Sequence, residues 1–203
     1  MSYYHDIVVQ KSWEELSILR RNLDFLLIGG WAVYFYTKGL KSKDIDIIVS
    51  FEHLSRIEKL YSLSKNERLR KYEARKQEIQ IDIYLPHYSD LGIPVVDLID
   101  KEEKIDGYHV LQINYLFALK MHALANRGRS EKGRKDFLDL ISLWQTEKVN
   151  GRTVKEIMRK HQLYKDVKVW REFLQEAGEI KELNLNYHQF SRLRKQILQE
   201  FAS

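Results

Sequence analysis

The sequence predicts an α+β protein: a mixed β-sheet core with helices, followed by an α-helical C-terminal region. Three observations carry that prediction. Short β-branched runs alternate with amphipathic stretches up to about residue 110, and beyond it apolar residues recur at helical spacing. Charge changes at the same place: residues 1–110 hold 16 Lys/Arg against 18 Asp/Glu, net −2, whereas residues 111–203 hold 18 against 11, net +7. The chain is therefore expected to divide into a sheet-bearing part, 1–110, and a helical part, 111–203, that completes the same cleft.

The elements follow from local pattern. Residues 24–28, 44–49 and 79–85 are β-branched and apolar, bounded by Gly, Lys/Ser or Pro, and read as strands. Between them an amphipathic helix is expected over 11–22, an almost wholly apolar one over 31–36 closed by Gly39, and another over 51–64. Residues 69–75 and 78–85 are close enough to pair as an antiparallel hairpin, which makes the sheet mixed. After residue 110, Asn114 is expected to cap a helix through Leu116, Leu119, Ala123 and Leu124. A second helix is expected from about Gly133 through Phe137, Leu140, Ile141 and Trp144, and others over 153–161, 167–176 and 188–201.

Composition bounds the function. At 203 residues and 24.4 kDa the chain makes one sizeable core or two small ones. Hydrophobic residues at 44%, charged residues at 31% and only 2 Pro exclude a disordered or loop-dominated protein. With no Cys, thiolate nucleophiles, Fe–S clusters and cysteine zinc sites are excluded, and a reducing compartment suits the chain. The start lacks a basic segment followed by a long apolar run, and no apolar stretch approaches membrane-spanning length, so a cytoplasmic protein with no membrane partner is expected. The basic half points to an anionic partner, and nucleic acid is the commonest one.

Four sequence features bear chemistry. Gly29-Gly30 stand where a buried strand turns into a helix; they serve either a tight turn or an anion site in which backbone N–H groups meet phosphate. Asp44-Ile45-Asp46-Ile47 places two carboxylates on one strand face, either as solvated acids or as oxygen ligands for a hard cation such as Mg²⁺ or Mn²⁺. Asp82, flanked by Ile81 and Ile83, would add a third acid if its strand lies beside that of Asp46. The run from Arg127 to Lys135 holds five cations against one acid with two glycines, and suits a mobile basic loop for a phosphate backbone, with Tyr164 among the tyrosines available to stack. The seven histidines, at 5, 53, 87, 109, 122, 161 and 188, contain no pair at zinc-ligand spacing.

Gly29-Gly30, then thirteen residues, then Asp44-Ile45-Asp46-Ile47 and a strand bearing Asp82, resemble the signature of the nucleotidyltransferase superfamily that includes DNA polymerase β. Lys120, Ala123 and Arg127, followed by Lys135-Asp136 and Asp139-Leu140, resemble the pattern of its AbiEii/AbiGii toxin-like branch; together the motifs span about residues 25 to 145. The resemblance implies a nucleotidyltransferase core. It implies Asp44, Asp46 and Asp82 as ligands of Mg²⁺ or Mn²⁺, with Asp82 also the base, and Gly29 and Gly30 as the phosphate-loop backbone. It implies Lys120 as a point charge on the triphosphate, Arg127 beside it on one helix face, and Asp136 orienting Lys120 or the nucleotide. NMP would pass from an NTP to a hydroxyl, with RNA, such as a tRNA 3′ end, as acceptor and an antitoxin protein as partner. Other members of the superfamily modify small molecules or proteins, and a catalytically idle fold that binds RNA or a partner is a further alternative. Many family members carry Gly-Ser in the phosphate loop; here Gly30-Trp31 offers only backbone, and the Trp31 ring is expected in the core. Base preference, acceptor identity, oligomeric state and the role of residues 150–203 are left open.

Overall fold

The computed structural model describes residues 2–202, and side chains from Asp6 onward, so the side chain of His5 lies outside the described residues. The chain forms two compact units, Met1–Gln112 and Ile113–Ser203. The first contains α1 (Ser2–Asn22), β1 (Leu26–Ile28), α2 (Gly29–Thr37), β2 (Ile45–Ile48), α3 (Leu54–Leu60), β3 (Ser62–Asn66), β4 (Lys71–Lys76), β5 (Ile79–Tyr84), β6 (Glu102–Ile105) and β7 (Tyr108–Leu111). Its strands make one mixed sheet in the order β3-β4-β5-β2-β1-β7-β6, with β2 parallel to β5 and β1 parallel to β7.

Alternation along the central strands fixes which face is polar. Ile45, Ile47, Ile81 and Ile83 are fully buried, while Asp46 and Asp82, one step out of phase, turn to the opposite face. Burying each such isoleucine contributes about 1.5–3 kcal/mol, and Ile47→Ala would cost about 2–5 kcal/mol. A one-residue slip would exchange the two faces, so this pattern is also what sets register. On α1 and α2, Trp13, Trp31, Tyr34 and Phe35 form an aromatic cluster, and Trp31 donates its indole N–H to Ser12 Oγ at 2.9 Å. Trp31 is thus a core residue with its one polar atom satisfied.

Three expectations are corrected here. The helix read over 51–64 is a 3₁₀ turn (Phe51–His53) followed by α3, which stops at Leu60, and Ser62–Asn66 is the edge strand β3. The strands β6 and β7 fall in a stretch that had no assignment. β3 and β6 are edge strands carrying Ser, Lys and Glu, which suits an exposed edge and erases the apolar alternation that reveals a strand. Asn114 lies inside the first turn of its helix, where its side chain accepts the Asn150 N–H at 2.8 Å.

The second unit is helical: α4 (Ile113–Arg127), α5 (Glu131–Trp144), α6 (Gly151–Lys160), α7 (Tyr164–Glu176) and α8 (Tyr187–Glu200). Phe117, Phe137, Trp170, Phe190 and Phe201 fill its core, with Phe117 and Phe201 stacked at 6.1 Å. Ser130, Asn150 and Asn186 cap α5, α6 and α8 with their side-chain oxygens, and Asn186 forms a full capping box with Gln189. Among the described residues no helix is long and apolar enough to cross a membrane.

Candidate active site

On the polar face of the sheet the acids form a row. Asp46 on β2 pairs in register with Asp82 on the parallel β5, and Asp82 pairs in register with Glu73 on the antiparallel β4. Directly opposed residues point to the same side, so three consecutive strands present three carboxylates side by side. Asp44 lies in the bend before β2, outside the ladder, and is exposed.

A lysine sits in this row. Lys71, only 6% exposed, places its ammonium 2.5 Å from Asp82 Oδ2 and 3.3 Å from Glu73 Oε1. Gln80 donates to Asp82 Oδ1 at 2.9 Å. Hydrogen bonds from Asn66 and Lys71 hold the Glu73 carboxyl below the usual carboxylate range, against the opposing effect of burial. Nothing in the sequence pattern singles out Lys71, Glu73 or Gln80. What places them is the hairpin turn: Lys76 pairs with Ile79 across Gln77-Glu78, and counting back three places from each sets Glu73 opposite Asp82.

Gly29 closes the row at the end of β1. It has φ +67, and a Cβ there would overlap the carboxylate of Asp46. Glycine is therefore required twice, by conformation and by the approach of the acid. It also opens α2, whose N-cap Ile28 supplies no side-chain acceptor and whose first turn holds no acid of its own, with the Asp46 carboxylate lying against the helix start. Along the same face, next to the acid row, Leu26, Ile48, Ser50, His53, Glu102 and His109 line a cavity of ≈ 390 Å³. Asp24 and Glu102 make its wall unsuited to phosphate.

The helical unit holds a second charged cluster. Lys120 on α4 lies 3.0 Å from Asp136 Oδ1 and 2.6 Å from Asp139 Oδ2, both acids on α5 and 1% exposed. Burial opposes charge on the ammonium, but Asp139 and Asp136 outweigh it and keep Lys120 protonated above the ordinary lysine range. Arg127 donates to Asp136 Oδ2 at 2.7 Å, so Lys120 and Arg127 do reach one patch from one helix face. Lys120 is buried in this clamp; the guanidinium of Arg127, whose side chain is 47% exposed, is the accessible cation.

The basic run from Arg127 to Lys135 is not a mobile loop. Only residues 128–130 separate α4 from α5, with Gly128 at φ +55, and a Cβ on Gly133 would strike the Gly128 carbonyl. Arg129 pairs with Glu176 at 2.5 Å and Arg134 with Glu182 at 3.0 Å. These acids lie 47 and 48 residues away in sequence, which hid the neutralisation.

The pattern of glycines, acids and cations matches a known family over residues 24–201, described as nucleotidyl transferase AbiEii toxin, type IV TA system. The chain belongs to the AbiEii family. It is accordingly a nucleotidyltransferase. A search of curated proteins returns no match. The AbiEii chain is similar in fold to ANT(2″)-Ia, solved in complex with adenylyl-2″-tobramycin, at 13% identity and a TM-score of 0.53, covering 80% of this chain and 98% of that one. It is also similar to JHP933 from Helicobacter pylori, at 14% identity and a TM-score of 0.51, covering 95% and 93%. A putative nucleotidyltransferase from H. pylori aligns at 14% identity and a TM-score of 0.50, covering 90% and 89%. At these identities the likeness is one of fold.

Proposed function

We propose that this AbiEii protein is a divalent-metal-dependent nucleotidyltransferase that moves NMP from an NTP onto a hydroxyl of RNA, as the toxin of a pair with a cognate antitoxin protein. The observation that carries it is the register of Asp46 with Asp82 beside Gly29. The donor set fits Mg²⁺ or Mn²⁺: Asp44, Asp46 and Asp82 offer only hard oxygen ligands on one end of the sheet. Among the described residues no three His, Asp or Glu side chains stand together as a ready-made metal cluster, because Asp82 is turned to Lys71 and Gln80. A bound ion would neutralise the acids and hold the phosphate oxygens.

The chain's own residues supply the rest. Gly29 and Gly30 bring backbone N–H groups to the triphosphate at the start of α2. Asp82 accepts bonds from Lys71 and Gln80, and a carboxylate offers about four lone-pair sites. It thus keeps capacity to take the proton of the acceptor hydroxyl as that oxygen attacks the α-phosphorus. The bond from the α-phosphorus to its bridging oxygen breaks, and pyrophosphate leaves. Sugar and base, which carry no charge, have room in the cavity beside the row. In the helical unit Asp136, itself paired with Lys120, holds Arg127 as a cation that can donate hydrogen bonds to an anion.

Support for RNA comes from exposed cations away from the neutralised run. Arg159, Lys160 and Lys165 are exposed around the turn between α6 and α7, with the Arg159 guanidinium 4.9 Å over the Tyr164 ring. The pairing of Arg129 and Arg134 favours a second reading, transfer to a small hydroxyl acceptor. Incubation with Mg²⁺ and each labelled NTP, with and without bulk tRNA, tests both. Labelled tRNA with pyrophosphate release is expected; product independent of tRNA selects the second reading, and neither transfer nor nucleotide binding overturns both. Asp44→Ala with Asp46→Ala should abolish transfer and leave tRNA binding intact.

A further inference from the structure

The unusual feature of the acid row is the lysine already inside it. Asp46, Asp82 and Glu73 stand opposite one another on three strands, an arrangement that like charges destabilise. Lys71 is buried between two of them and offsets that repulsion in the metal-free protein. Its contacts are unequal, 2.5 Å to Asp82 and 3.3 Å to Glu73, so it occupies Oδ2, one of the two oxygens that Asp82 has to offer a cation. Glu73 is accepting, partly buried and held by Asn66, so an ammonium that leaves Asp82 keeps a partner. Without Glu73 that movement would strand a buried ammonium with no carboxylate partner.

We propose that Lys71 is a placeholder cation: it keeps Asp82 beside Asp46 in the metal-free protein and yields to the divalent ion by shifting its ammonium onto Glu73. Lys71 is then a positioning residue acting through Asp82, and Glu73 is its parking site. This rests on Asp44, Asp46 and Asp82 holding the ion. It makes two substitutions act in opposite directions. Removing the cation frees Asp82, so Lys71→Met tightens metal binding by about tenfold or more while lowering the melting temperature of the metal-free protein. Removing the parking site leaves Lys71 committed to Asp82, so Glu73→Gln weakens metal binding. Lys71→Arg keeps the charge and stays near wild type.

The test is titration of the full-length protein with Mn²⁺, following free ion by electron paramagnetic resonance, alongside metal-free thermal unfolding. Opposite shifts for Lys71→Met and Glu73→Gln, with recovery in Lys71→Arg, are expected. Glu73→Gln retains the sign test if Lys71→Met does not fold. Equal or same-direction shifts, while Asp46→Asn still removes binding, overturn the placeholder and leave the metal site standing. Binding that survives both Asp46→Asn and Asp82→Asn, or no binding in wild type, overturns the metal site and the placeholder with it.

Discussion

Each unit buries one lysine between two carboxylates, and the two clusters differ in how they are closed. Around Lys120 the acids are 1% exposed, and Arg127 brings a second cation, so two positive groups meet two negative ones. Around Lys71 the two acids are 14% exposed, and Asp46 follows in the same row of the sheet. In the buried cluster the charges offset one another, and Arg127 alone of the four reaches well into solvent. The more open cluster keeps its acids nearer to solvent, within reach of an added cation. The local motif is the same in both, and the depth of burial is what separates them.

The sharpest way to break this comparison is at the acids of the open row. Asp82→Asn should lower kcat by about 10²–10⁴-fold, the range of a lost general base, in a labelled-NTP transfer assay. Its urea-unfolding midpoint should stay close to wild type, since Glu73 remains as a carboxylate partner for Lys71. At the sealed cluster the outcome should be reversed. Lys120→Met leaves Asp136 and Asp139 short of a buried partner and should cost about 3–5 kcal/mol in urea unfolding; a small effect there would end the distinction.

pH separates the clusters further. Because the folded value of Lys120 lies above its ordinary 10.5, its contribution to stability is complete below pH 10.5. That contribution is lost as pH rises through the folded value. Unfolding free energy of the wild type should therefore decline above pH 10.5 more steeply than that of Lys120→Met, measured by denaturation between pH 9 and 11.5. The smallest effect belongs to the surface. Arg134→Ala breaks a pair with Glu182 in which both side chains are more than 40% exposed, and should cost about 1 kcal/mol or less.

What could be read beforehand follows the same division. Asp46 and Asp82 stand out because each is framed by isoleucines, Asp44 because it stands two places before Asp46, and Gly29 because a strand precedes it and a helix follows. Adjacency of the two strands was conditional until the register was seen. Lys71 and Glu73 were hidden by a polar hairpin with no apolar alternation, where side-chain identity says nothing of which strand lies opposite. The basic run misled for a different reason: its neutralising partners, Glu176 and Glu182, are near in space only because α7 and the turn after it fold back on α5. Charge counted along a chain cannot anticipate such pairing.

The Gln77-Glu78 turn, pinned to α1 by Lys11 and Glu78 at 2.7 Å, acts as a ruler for this chemistry. One residue added there would carry Lys71 and Glu73 to the apolar side and bring Tyr72 and Ala74 out in their place. It is the spacing of this hairpin, more than the presence of a lysine nearby in sequence, that sets an ammonium against Asp82.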